Sequence, residues 1–119
     1  KRTISDEQLP VLDILVAARD EENVIERLIQ RLFNLDYPTD KLNIYIVDDG
    51  SVDNTSLILE RLSKEFEKLK IISRSAKAGG GKSGALNYAL KFTYGEWILI
   101  LDLIWDITVE KILILQRIV

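Results

Sequence analysis

Cysteine and histidine are both absent from this chain. Without cysteine there are no disulfides, thiolate zinc sites or cysteine nucleophiles. Without histidine there is no Ser-His-Asp triad and no imidazole metal ligand. Acid–base or metal chemistry must therefore use carboxylates, lysines, tyrosines or water. No apolar run reaches the ~18–20 residues of a membrane span and no signal peptide is visible, so a cytoplasmic location is expected. A basic block is also missing, and the formal net charge of −3 argues against a nucleic-acid partner. The chain opens at Lys1 rather than a methionine, as expected of a processed or trimmed piece.

What is present suits one globular domain. The 119 residues are 47% hydrophobic and 29% charged, enough for a single core. Apolar runs alternate with helical periodicities. Strands are expected at Val11–Ala18, Leu42–Val47, Leu69–Ser73 and Trp97–Leu101. Helices are expected at Glu21–Phe33, Asn54–Leu69 and Lys82–Phe92, with Ser51 or Asp53 capping the second. Strands apolar on both faces, alternating with helices, predict a mostly parallel, doubly wound α/β sheet of about four strands. Val109–Val119 reads as a last helix with almost no polar face, the kind that is buried on all sides. It predicts a partner surface: a missing C-terminal half or a second subunit.

In such a sheet, ligands bind at the carboxyl ends of the strands. Four charged groups fall there: Arg19-Asp20-Glu21-Glu22, Asp48-Asp49-Gly50-Ser51, Gly79-Gly80-Gly81-Lys82-Ser83 and Asp102. Adjacent like charges at Asp48 and Asp49 repel, which is more easily explained by a ligand or cation than by the fold. Glycines before Lys82 let backbone N–H groups approach an anion at a helix N-terminus. Asp102, with Asp48 or Asp49 as further candidates, has oxygen chemistry for a hard divalent cation. These carboxylates can equally accept from a base N–H or a ribose hydroxyl, or serve as turn and cap residues. The run Asp20-Glu21-Glu22 can complement the dipole of the first helix. Arg74 and Lys77 are expected in solvent, and Trp97 and Trp105 in the core or an interface. The ensemble suits a nucleotide diphosphate with a metal. It does not make a P-loop, because that motif needs glycine where Ala76 stands.

Five stretches together resemble the inverting family-2 glycosyltransferases of GT-A fold, especially bacterial synthases of β-linked polysaccharides. They are Leu15-Val16-Ala17-Ala18-Arg19-Asp20-Glu21-Glu22, Leu35-Asp36-Tyr37-Pro38, Ile46-Val47-Asp48-Asp49-Gly50-Ser51-Val52-Asp53-Asn54-Thr55, Gly81-Lys82-Ser83-Gly84-Ala85-Leu86-Asn87 and Ile98-Leu99-Ile100-Leu101-Asp102. The resemblance implies a nucleotide-sugar site, usually for a UDP-sugar. Ala18, Arg19 and Glu21 would surround the uridine, Asp48 and Asp49 would contact base and ribose, and Lys82 would lie near the nucleotide. Asp102 would open an Asp-x-Asp motif for Mg²⁺ or Mn²⁺. Ile104 stands at the second aspartate of that motif and cannot ligate a metal; Asp106 is four residues from Asp102. The family's catalytic base and acceptor motifs would lie beyond residue 119, in a part that receives a carbohydrate or lipid acceptor. The chain is thus expected to be a single nucleotide-binding domain, inactive alone, from an enzyme at the cytoplasmic face of a membrane. The alternative is a non-catalytic α/β module, engineered or truncated, that self-associates through its apolar C-terminal helix as a homo-oligomer.

Overall fold

A computed structural model describes residues 5–101 and, as backbone, residues 114–116. Four parallel strands form its frame: β1 (Leu12–Ala18), β2 (Leu42–Asp49), β3 (Leu69–Arg74) and β4 (Trp97–Leu101). Three helices connect them: α1 (Ile25–Phe33), α2 (Thr55–Glu65) and α3 (Gly81–Leu90). A fifth strand, β5 (Ile114–Gln116), adds antiparallel to β4, and the strand order is β3-β2-β1-β4-β5. The open parallel sheet expected from the alternation is present. After β3 the chain returns past β2 and β1 to lay β4 beside β1, so strand order reverses between β1 and β4. That reversal marks the ligand crevice of an open α/β sheet.

Side chains of period two divide the core between the faces of the sheet. Leu12, Ile14, Val16, Ile44 and Ile46 pack with Ile25, Ile29 and Leu32 of α1 and Leu59 and Leu62 of α2. Leu15, Tyr45 and Val47 face the other way, onto Ala85 and Ala89 of α3. Each aliphatic side chain buried in this way contributes about 1.5–3 kcal/mol. Arg61 pairs with Glu26 at 2.6 Å between α2 and α1, but both side chains are about half exposed, so solvent screens the pair and it adds little. Trp97 packs against the first cluster, as expected.

Several expectations change. The helix expected over Val109–Val119 is not one at Ile114–Gln116, which is strand. The outer edge of β4 leaves a row of backbone N–H and C=O groups to be paired, and β5 pairs them. A short apolar run without a polar face cannot be told from a strand by periodicity. The self-association assigned to that helix loses its basis over these residues; Trp105 and the rest of the segment lie outside the described residues. Helix α1 starts at Ile25 rather than Glu21, because Glu21–Val24 form a turn tied to the next loop. Helix α2 ends at Glu65, with Phe66 extended as its C-cap rather than helical to Leu69. The turn 66–68 then leads directly into β3.

The amino ends of the strands hold a buried polar cluster that the sequence did not announce. Asp13, fully buried in β1, accepts from Asn43 Nδ2 at 3.0 Å and from the Tyr94 and Gly95 N–H groups at 2.8 and 2.7 Å. Three donors make this buried carboxylate tolerable and tie the α3–β4 loop to β1 and β2.

Candidate functional site

The parallel register brings the charged groups to one edge. Ala18 is level with Asp48, Asp48 with Ser73, and Asp49 with Arg74. Around this edge the loops after β1, β2 and β3 are bound to one another.

The first two loops clasp reciprocally. The Asp20 N–H donates to Ser51 Oγ at 3.0 Å, and the Asp20 carboxylate accepts from the Val52 and Asp53 N–H groups at 2.7 and 3.3 Å. The Glu21 N–H donates to Thr55 Oγ1 at 2.8 Å, the Glu22 N–H to Asp53 Oδ2 at 3.2 Å, and the Asn54 N–H to Glu22 Oε1 at 2.9 Å. At about 0.5–1.5 kcal/mol each, these six bonds hold the edge in one shape. Asp20 has a left-handed φ of 54°, a conformation that aspartate tolerates better than most residues. Its bonds and those of Glu22 reach the N-terminus of α2. The Asp20 and Glu22 carboxylates thus bind the backbone that leads into the second helix. The N-cap of α2 is Asn54, which makes no side-chain cap bond, and neither expected residue holds that place: Asp53, one residue earlier, accepts from the Thr55 N–H at 2.8 Å, while Ser51 Oγ is turned to Asp20. Desolvation raises the Asp53 pKa, but the hydrogen bonds from Thr55 and the Glu22 N–H outweigh it and hold the carboxyl below its ordinary value.

Gly50 joins the second loop to the third. Its φ is +73°, and a Cβ there would lie 2.5 Å from Ala76 Cα. Only glycine allows both this turn and this approach. The third loop then enters α3 through three successive left-handed glycines, with Gly80 at the N-cap. The exposed first turn of α3 carries Lys82, so N–H groups and a cation stand together at a helix N-terminus.

Each site residue expected from the sequence can now be placed. Ala18 is buried at the end of β1, Arg19 is exposed just beyond it, and Glu21 is half-buried and acts through its backbone N–H. Asp48 is buried; its carboxylate accepts from the Ser51 N–H at 3.2 Å and from the Ser56 hydroxyl. Asp49 is buried and paired with Arg74, Nε to Oδ1, at 2.9 Å. The same guanidinium donates to the Gly79 carbonyl. Arg74 is therefore not in solvent: its side chain is 10% exposed and Asp49's is 12%. The signal for it was its position directly after the third apolar run, level with Asp49 in a parallel register. Asp102, Ile104 and Asp106 lie outside the described residues.

The described carboxylates do not fit a metal cage. Asp48 is engaged by Ser51 and Ser56, Asp49 by Arg74, and no three acidic side chains among the described residues converge on one point. No helix among them is long and apolar enough to cross a membrane. A depression lined by Phe33, Phe66 and Lys68 lies at the opposite edge of the sheet and shares no residue with this site.

Residues 13–103 match the sequence pattern of Glycosyl transferase family 2. The chain belongs to that family. A β-monoglucosyldiacylglycerol synthase of Nostoc sp. is 52% identical over 94 residues, covering 79% of this chain and 20% of that protein. The chain thus spans about a fifth of the length of the curated relatives it matches. Among solved structures, a mannosyltransferase from Pyrobaculum calidifontis in complex with GDP-Man and Mn²⁺ superposes with a TM-score of 0.73 at 29% identity, covering 82% of this chain and 28% of that one. S. aureus TarS 1-349 in complex with UDP superposes with a TM-score of 0.64 at 30% identity, covering 76% and 26%. The glycosyltransferase fold of these neighbours is the GT-A fold expected from the motifs. The mannosyltransferase structure holds GDP-Man and Mn²⁺, and the TarS structure holds UDP.

Proposed function

We propose that this chain is the donor-binding domain of an inverting glycosyltransferase that uses a UDP-sugar. The observation that carries the reading is the clasped strand edge itself. Two buried aspartates, an exposed arginine and a glycine-lined helix N-terminus with its lysine are held on one side of one sheet. Asp49 and Asp48 would take the base and ribose, Ala18, Arg19 and Glu21 would line the uridine, and Lys82 with the α3 N–H groups would face the diphosphate. Mg²⁺ or Mn²⁺ would rest on Asp102. Identity to the glycolipid synthase favours a glucosyl donor and a diacylglycerol acceptor, hence work at the cytoplasmic face of a membrane. A chain spanning about a fifth of such relatives is assigned donor binding as a single domain and not turnover by itself.

Calorimetric titration of the chain with UDP, with and without Mn²⁺, tests this reading. Saturable binding that Asp49→Ala weakens by about tenfold or more, one lost charge-assisted hydrogen bond, supports it. Strengthening by Mn²⁺ that Asp102→Ala abolishes would assign the metal to Asp102. Absence of UDP binding would reduce the chain to a folding module, and sugar transfer by this chain alone would overturn its assignment as a binding part.

A further inference from the structure

We propose that the depression at the amino edge of the sheet is a docking site for an arginine-bearing segment of a partner polypeptide. It is independent of the nucleotide reading and lies across the sheet from that site. The depression encloses about 450 Å³ where α1 and α2 end, beside the turns that lead into β2 and β3. Its apolar part is a pair of rings. Phe33 closes α1 and Phe66 is the C-cap of α2; the rings stack with centroids 4.5 Å apart and planes 1° from parallel. Both pack against the core, so this aromatic surface is fixed before anything binds, and both are only half-buried.

The charges around the rings favour a cation. Helices α1 and α2 both run toward the amino edge, so the negative poles of two helix dipoles and their last carbonyls meet there. Asp40, Glu65 and Glu67 line the depression and are exposed, against a single lining cation, Lys68. Lys41 does not offset its neighbour Asp40, because its ammonium donates to the Asp6, Glu7 and Leu9 carbonyls at 2.9, 2.8 and 2.8 Å. Glu65 sits in the field of Arg61, which is itself paired with Glu26. Asp40 and Glu67 therefore carry the recognition.

The shape selects the kind of cation. A guanidinium is planar and weakly hydrated, so it can lie on a ring face while its N–H fork reaches carboxylates; a compact, strongly hydrated ammonium does this less well. One guanidinium fills only part of the depression, and the remaining space suits an aliphatic stem and the backbone beside it. A partner seated there leaves the carboxyl edge of the sheet open, so it can hold the domain without covering the nucleotide site.

The test is amide chemical-shift titration of the isotopically labelled chain with end-capped tetra-arginine, tetra-lysine and a glycine–serine peptide of equal length. Salt of ~0.15 M screens diffuse attraction to the acidic chain. Tetra-arginine is expected to shift Phe33, Thr39, Asp40 and residues 65–68 along one saturable curve, and to bind at least about threefold more tightly than tetra-lysine. The glycine–serine peptide should bind at least about tenfold more weakly than tetra-arginine. Asp40→Asn combined with Glu67→Gln should weaken tetra-arginine by about tenfold or more, and Lys68→Gln should strengthen it about twofold or more. Phe66→Leu should bring the arginine-to-lysine ratio close to one, a change that general acidity of the surface does not produce. Shifts scattered over other acidic parts of the chain overturn the proposal, as do equal wild-type affinities for the two basic peptides. Arginine amide binding as tightly as tetra-arginine overturns the assignment to a polypeptide. If Phe66→Leu fails to fold, the variants at the exposed Asp40 and Glu67 decide, and unchanged affinity in them overturns the proposal.

Discussion

Replacing Gly50 with alanine puts a methyl group where Ala76 already lies. The Cβ would be 2.5 Å from Ala76 Cα, 2.5 Å from its Cβ and 2.6 Å from its nitrogen, all parts of the backbone or bonded directly to it. No flexible side chain can swing away, so one of the two loops must move. Forced movement in a packed region costs about 1–3 kcal/mol. The left-handed φ of +73° adds about 1–2 kcal/mol for any residue with a Cβ. The sum, about 2–5 kcal/mol, is a large share of the ~5–15 kcal/mol stability of a domain. It corresponds to a fall in Tm of roughly 10–30 °C. Gly79→Ala is the control: its φ is +83°, but a Cβ there meets nothing within 4 Å. It should lose only the conformational part, about 1–2 kcal/mol. Urea and thermal unfolding of both variants, followed by circular dichroism, separate the two costs. If Gly50→Ala is no less stable than Gly79→Ala, the packing of the second loop against the third is not as described.

Asp13→Ala should cost about 3 kcal/mol or more in urea unfolding, because it strands the Asn43 amide and the Tyr94 and Gly95 N–H groups in the interior. Asp20→Ala should cost about 1–3 kcal/mol through its two lost acceptor bonds and its positive φ. Asp20→Asn, which tolerates the same conformation and keeps an acceptor, should lose less than about 1 kcal/mol. Asp53 has a folded pKa below its unfolded one, so its stabilisation is present above the unfolded value near pH ~4 and is lost as pH falls through the lower folded value. Stability measured from about pH 6 down to pH 3 should therefore fall more steeply for wild type than for Asp53→Asn, and parallel curves would contradict this.

The sheet was legible because its strands are apolar on both faces, and four apolar runs alternating with helices leave few alternatives to a parallel α/β layer. The convergence of Arg19, Asp48, Asp49 and Lys82 on one edge follows from that topology alone. The hydrogen bonds between loops were not legible. Asp20 reads as a helix-dipole residue until the register places Ser51 and Val52 beside it, and tertiary neighbours then decide its role. Arg74 and Asp13 reveal the same gap from opposite directions. A charge at a strand end suggested solvent and proved to be half of a buried pair; a charge inside an apolar strand proved to be satisfied by a loop 81 residues away. The apolar terminus failed for another reason: without a polar face it has no period to read, and the unpaired edge of β4 determined strand over helix at Ile114–Gln116.

The central claim is that the edge formed by the loops after β1, β2 and β3 is one preorganised nucleotide site. Amide chemical-shift mapping of the isotopically labelled chain during a UDP titration tests it most directly. Resonances of Ala18–Glu22, Asp48–Ser51 and Gly79–Ser83 are expected to shift together along a single saturable curve, while those around Asp13 and Phe66 stay in place. Shifts confined to one loop, spread over the opposite edge of the sheet, or absent would contradict it.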